Sequence, residues 1–235
     1  MKNNFSKLTL AANLVFAMAL TFSLVDCGGG GGSSNLPENK YLGKLPRIED
    51  SWRTGNKVAK EKYEKDESKS AWEKYEKTKK ELQDKYMADS KTEAASLAGK
   101  EIPVSYSDEF KASEAGQLYE IGKVKIITNA DGYCQREIPI TVKKDFTMPN
   151  AMNYNKWQAV QIPIWDIAED GRQLFNWAIG PGLAFKDGDL VKAGTTFTQT
   201  GGCTNSNKGY AYFSGMKIHA QNEKEPEKWK EEEKK

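Results

Sequence analysis

The chain is expected to be mainly β with an N-terminal α segment: an antiparallel β-sandwich preceded by a long charged helical arm. Three observations lead there. From Ser51 to Leu97 the sequence is dense in Lys, Glu and Ala and lacks proline, which favours helix. From Ile102 onward it breaks into short β-branched and aromatic runs such as "LYEIGKVKIIT", "REIPITV" and "YAYFSGMKIHA". Between those runs lie the turn signals "NADG", "EDG", "GPG" and "KDGD", the punctuation of an antiparallel sandwich or barrel.

At the N-terminus, Lys2 and Lys7 precede an apolar run from Leu8 to Val25, the order of basic then apolar residues that builds an export signal. The run is marginally short for an uncleaved membrane span, the second choice, since a bilayer core takes roughly 20 apolar residues. It ends in "LVDC", Leu24 to Cys27, and this resembles the lipobox of bacterial lipoproteins. Leu24 and Val25 match that pattern, whereas Asp26 stands where Gly, Ala or Ser is usual. The resemblance implies removal of residues 1–26 as a signal peptide and lipidation of Cys27. It also implies export and membrane anchoring, with Gly28 after the cysteine pointing to the outer membrane or cell surface of a Gram-negative bacterium. Two or three acyl chains anchor firmly, because each buried methylene contributes about 0.8 kcal/mol.

Residues 27–50 are then expected to form the lipidated tether. Its Gly-rich part, Gly28 to Asn35, would have an r.m.s. reach of about 15 Å. In "LPENKYLGKLPRI" the prolines and glycine suggest an extended segment whose Tyr41, Leu42, Leu45 and Ile48 dock on something. Asp50 or Ser51 can cap the arm, residues 51–98, which would measure ~70 Å as one continuous helix. Acid-before-base pairs Glu61/Lys65, Glu73/Lys77, Glu76/Lys80 and Glu81/Lys85 would support it weakly. Its apolar stripe, Trp72, Tyr75, Leu82 and Tyr86, is too short for a coiled coil by itself. It is expected to pack on the following domain, or to mediate weak self-association. Gly99 and Pro103 end the helix.

Residues 99–221 carry the β domain. Alternation is clear in Ile138/Ile140/Val142 and in Val160/Ile162/Ile164, while Pro139 and Pro163 inside runs mark edges or bulges. The last stretch, 222–235, is charged and broken by Pro226, and is expected to be a disordered tail.

Candidate chemistry is sparse. The 35 basic and 33 acidic residues are interspersed and nearly cancel, which gives no one-signed surface for nucleic acid. Cys134 and Cys203 both lie in the β region of an exported chain and pair by elimination as a disulfide. His219 is the one histidine, so no two-histidine metal motif exists, and no cofactor or metal site is expected. By strand parity His219 points to solvent. Trp157, Trp165 and Trp177 could form an aromatic binding surface for a glycan, with Trp165, opposite in parity to Val160, the best candidate for exposure. Asp166, Glu169 and Asp170 are the densest acidic group and are expected to form the turn before Gly171. The functional expectation is therefore a lipid-anchored cell-envelope protein with a non-catalytic binding or scaffolding role toward a glycan or protein. The alternative is an exported glycan-acting hydrolase that uses carboxylates in a sandwich cleft.

Overall fold

The computed structural model describes residues 34–231, so the expected signal segment and Cys27 lie outside the described residues. The helical segment is a hairpin rather than one rod. Helix α1 spans Leu45–Glu64 and α2 spans Lys69–Leu97. Pro46 in the first turn of α1 starts the helix ahead of Asp50 and Ser51, because the nitrogen it lacks would have no helical partner there. Between the helices, Ser68 takes an extended conformation and its hydroxyl accepts from Ala71 N, opening α2 with a cap.

The aromatic stripe of α2 packs on α1, not on the β domain. Trp52 stacks on Tyr86 at 4.9 Å, Gly55 lies against Leu82, and Tyr63 meets Trp72 and Tyr75 at 5.2 and 5.5 Å. Gly55 is required for this approach, since a Cβ there would stand 2.9 Å from Leu82. The exposed ion pairs fall one turn away from those expected, as Lys57–Glu61, Lys69–Glu73 and Lys77–Glu81, with base before acid. They contribute little at such exposure. From Lys57 to Asp89 only Ala59 is buried, so the distal part of the hairpin projects into solvent and leaves Trp72 46% exposed.

The base of the hairpin is anchored in the common core through Leu45 and Leu97. Residues 39–44, expected to continue the tether, dock beside it. Leu42 is fully buried, and Asn39 donates to the carbonyls of Ala211 and Phe213 while accepting from Tyr41 N and Leu42 N.

The strands are β1 (Glu101–Ile102), β2 (Val104–Tyr106), β3 (Tyr119–Ile121), β4 (Val124–Thr128), β5 (Cys134–Val142), β6 (Phe146–Thr147), β7 (Ile162–Ala168), β8 (Gln173–Ile179), β9 (Leu190–Val191), β10 (Thr196–Gly202) and β11 (Phe213–Ile218). One sheet runs β1-β4-β5-β10, with β3 also on β5; the second runs β2-β11-β7-β8; β6 and β9 form a small ribbon. All pairs are antiparallel except β2 with β11. The two sheets share one core, with Val124, Ile126, Ile138, Ile140 and Val142 from the first and Ile162, Ile164, Met216 and Ile218 from the second.

Pro139 does not sit at an edge. Its strand, β5, is central, and the proline lies where its neighbour changes from β4 to β3. Ile121 is opposite Ile140 but Lys125 is opposite Glu137, so residues 122–124 face only residues 138–139. That bulge removes the demand for a ladder N–H where proline has none.

The C-terminal segment is docked as far as Glu231, contrary to the expected disordered tail. Gln173 N donates to Glu227 O, Trp229 N donates to Gln173 O, and Lys208 pairs with Glu231 at 2.9 Å. The pairing of Cys134 with Cys203 is present and joins β5 to the chain leaving β10. Reducing it frees a loop with a sequence separation of 69 residues. Reduction should therefore cost roughly 4 kcal/mol of unfolding free energy, read as a lower urea midpoint in reductant. An unchanged midpoint, or two freely alkylated thiols in the non-reduced protein, would show that the bridge does not constrain the fold.

Candidate binding groove

The residues marked in advance as an aromatic surface do not converge. Trp165 is fully buried, its ring stacked on His219 at 3.6 Å. Alternation does not expose it because both faces of β7 are covered. His219 follows β11 in register, its N donating to Pro163 O, so that its ring and the Lys217 ammonium, 5.3 Å over the indole, lie on the Trp165 face. His219 is accordingly buried rather than solvent-facing. Trp157, in the short helix Tyr154–Ala159, rests on the backbone of Gly182 and is half-buried. Trp177, on β8, stacks with the guanidinium of Arg136 at 4.8 Å.

Arg136 belongs to a buried network that the sequence reading missed. Its guanidinium forks onto Asp166, Nη1 to Oδ1 at 2.6 Å and Nη2 to Oδ2 at 3.0 Å, while Nε donates to Gly202 O. Asp166 also accepts from Trp177 Nε1 and from the Tyr210 hydroxyl. Both carboxylate oxygens are doubly occupied. Burial, and then the adjacent carboxylate, push the Tyr210 phenol far up, so it remains a donor. Asp166 therefore lies in the core of β7 rather than in the turn, with no lone pair left for acid–base work at a cleft. Asp170 does lie in the turn, where Arg172 Nε and N donate to its two oxygens and hold its carboxyl below the usual range.

The aromatic faces that remain accessible meet elsewhere. A cavity of about 660 Å³ is lined by Asn35 and Leu36 of the N-terminal segment, by Glu169, Asp170 and Arg172 of the β7–β8 turn, by Lys208 and Tyr212 of the 3-10 turn before β11, and by Trp229 to Glu231 of the C-terminal segment. Tyr212 is 41% exposed, and its ring lies 6.5 Å from that of Trp229 at an interplanar angle of 29°. Gly209 lets the indole lie flat, since a Cβ there would be 2.6 Å from Trp229 Cδ2. The backbone N–H of Glu169 donates to Tyr212 O, tying the turn to the ring beside it. Lys208 is held between Glu231 at 2.9 Å and Asp50 of α1 at 3.5 Å. The cavity combines two aromatic rings with polar and charged residues in its lining, and so suits binding of an amphipathic ligand. Neither ring is among the three tryptophans that the sequence offers as a binding surface, and Trp229 lies in a stretch that reads as disordered charge.

Among the described residues no group of three or more His, Cys, Asp or Glu side chains is placed to hold a metal ion, and no helix is long and apolar enough to cross a membrane.

Two stability predictions follow from the buried groups. Asp166→Leu leaves a buried guanidinium uncompensated and should cost about 3–5 kcal/mol, whereas Arg136→Met combined with Asp166→Leu should recover most of that loss by urea denaturation. A double variant no better than the single one would mean that the pair is not the source of the cost.

His219 Nδ1 lies 2.8 Å from Ala220 O, which can only accept, so Nδ1 carries the proton; Nε2 is buried without a hydrogen-bond partner. Burial lowers the folded pKa, because protonation would place a second N–H where nothing accepts it. The unfolded chain therefore takes up this proton at higher pH than the fold does. Stability should be complete above about pH 6.5 and fall below it until the lowered folded pKa is passed. The window lies above that of Glu223, whose carboxyl is held low by its contacts with Lys217, Ser107 and Ala220 N against the opposing effect of burial. His219→Phe should flatten the urea midpoint between pH 7.5 and 5.5; the wild-type slope in that variant would assign the effect to another group.

Compared with family models, curated proteins and solved structures, the chain matches none of them.

Proposed function

We propose that the chain is a lipid-anchored cell-envelope protein, held at the outer membrane or cell surface through Cys27, with a non-catalytic binding role. The observation that carries the binding role is the Tyr212–Trp229 groove, where two accessible aromatic rings meet inside a cavity of ligand size. The anchoring half of the reading is supported by the basic-then-apolar N-terminus and by "LVDC" at Leu24 to Cys27.

The chain following the proposed anchor joins the fold beside the groove. The Ser34 hydroxyl donates to Asp50 Oδ2, Ser34 N donates to Ser51 Oγ, and the next two residues line the cavity. The scaffolding part of the proposal, including weak self-association, rests on the hairpin tip around Trp72, since the rest of the aromatic seam is filled by α1.

The anchor is tested by metabolic labelling with an alkyne palmitate in a Gram-negative host. Label is expected on the wild type and not on Cys27→Ser, which should move from the membrane to the soluble fraction. Absence of Cys27-dependent label would end the lipoprotein reading.

A further inference from the structure

We propose that the Tyr212–Trp229 groove is a saccharide subsite taking a neutral or N-acetylated pyranose unit of an oligosaccharide, with the C-terminal segment forming one wall. This rests on the binding role proposed above and names its ligand class. A pyranose ring is amphipathic in a particular way. Its axial C–H bonds make an apolar, slightly positive face, and its hydroxyls project around the rim. The first requires an aromatic π-face and the second requires polar groups disposed around that face.

The groove supplies both. Tyr212 and Trp229 present rings inclined by 29° and 6.5 Å apart, and both residues line the cavity. Asn35, Glu169, Asp170 and Lys208 line the cavity with them. The charges of the lining, Glu169, Asp170 and Glu231 against Arg172, Lys208 and Lys230, sum to zero, and Asp170 pairs with Arg172 and Lys208 with Glu231 and Asp50. A lining without net charge favours hydroxyl and amide groups over a net ionic ligand. At about 660 Å³ the cavity lies within the range of about 300–1,000 Å³ typical of small-ligand sites.

The platform is pre-built rather than incidental. Trp229 is held by its own N–H on Gln173 O and by the neighbouring Gln173 N on Glu227 O, while Gly209 accepts the flat side of the indole. The flanking ion pair of Lys208 with Glu231 closes the end of the segment. Little side-chain entropy then remains to be lost when a sugar stacks there. Trp177, by comparison, has its ring engaged by the Arg136 guanidinium, and neither it nor Trp157 lines this cavity.

The test uses the full mature chain with maltohexaose, chitotetraose, mannotetraose and galactotetraose, titrated by calorimetry and by tryptophan fluorescence. At least one should bind saturably. Trp229→Ala and Tyr212→Ala should each weaken binding by about tenfold or more, and Trp229→Phe, which keeps a ring, should retain most of it. Trp72→Ala, at the hairpin tip, should bind as wild type. Near-ultraviolet circular dichroism and the urea midpoint establish that each variant is folded; Tyr212→Ala, at an exposed side chain, decides the matter should Trp229→Ala undock the C-terminal segment. No binding of any of the four sugars by the wild type, or binding that both alanine variants retain, overturns the proposal. Cys27-dependent labelling is an independent readout, so a failed titration beside a positive label removes the sugar and leaves the anchored protein standing.

Discussion

The structure depends on a charge pair buried between two sheets. Arg136 comes from the inner face of β5 and Asp166 from the inner face of β7, and each is satisfied only when those strands face one another at this register. Taking both charges out of water is costly, so the pair is weak evidence of net stability. Its consequence is specificity. A one-residue slip of β5 would turn Arg136 outward and bring Gln135 and Glu137 inward, leaving Asp166 buried with no cation. Tyr210, Trp177 and the Gly202 carbonyl complete the network, so three further elements are placed by the same two side chains. The disulfide leaves β5 two residues earlier and holds the end of β10 against the same corner.

That network was half legible. Arg136 has the parity of Ile138, Ile140 and Val142, and Asp166 has that of Ile162 and Ile164. An inward arginine in one strand and an inward aspartate in another are a pairing signal, because neither could be buried alone. Asp166 was instead assigned to a turn because Glu169 and Asp170 follow it closely. Trp165 illustrates the opposite failure. Parity placed it correctly on the face away from the core, but which face meets solvent is a tertiary fact. Lys217 and His219 on the neighbouring chain cover that ring, and alternation within one strand carries no trace of it.

The hairpin shows a similar limit. A Lys/Glu/Ala-rich run reads as helix on propensity alone, yet propensity does not reveal where a helix folds back. The partner of the Trp72, Tyr75, Leu82 and Tyr86 stripe was present in the preceding residues as Trp52, Gly55, Ala59 and Tyr63, spaced three, four and four apart. Two of those four are Gly and Ala, which score poorly as an apolar stripe. They are what close helix packing requires where Leu82 projects toward Gly55. The bend itself falls at "KDES", where Ser68 supplies a cap within an otherwise uninterrupted charge pattern.

The groove inherits its position from these constraints. Asn207 donates to Leu174 O and Lys208 reaches both Asp50 and Glu231, so the turn carrying Tyr212 is tied at once to β8, to the base of the hairpin and to the C-terminal segment. Trp229 is therefore a platform only while the C-terminal segment is paired at Gln173. A residue in a charged, proline-containing stretch gains a function through two backbone hydrogen bonds that the sequence does not announce. The same geometry connects recognition to the proposed anchor. Asn35 lines the cavity and follows Cys27 by eight residues, 35 minus 27, so a fully extended chain allows at most roughly 28 Å between lipidated sulfur and groove. On that proposal the ligand is met close to the bilayer from which the protein hangs, while the hairpin tip projects from the opposite end of its own base.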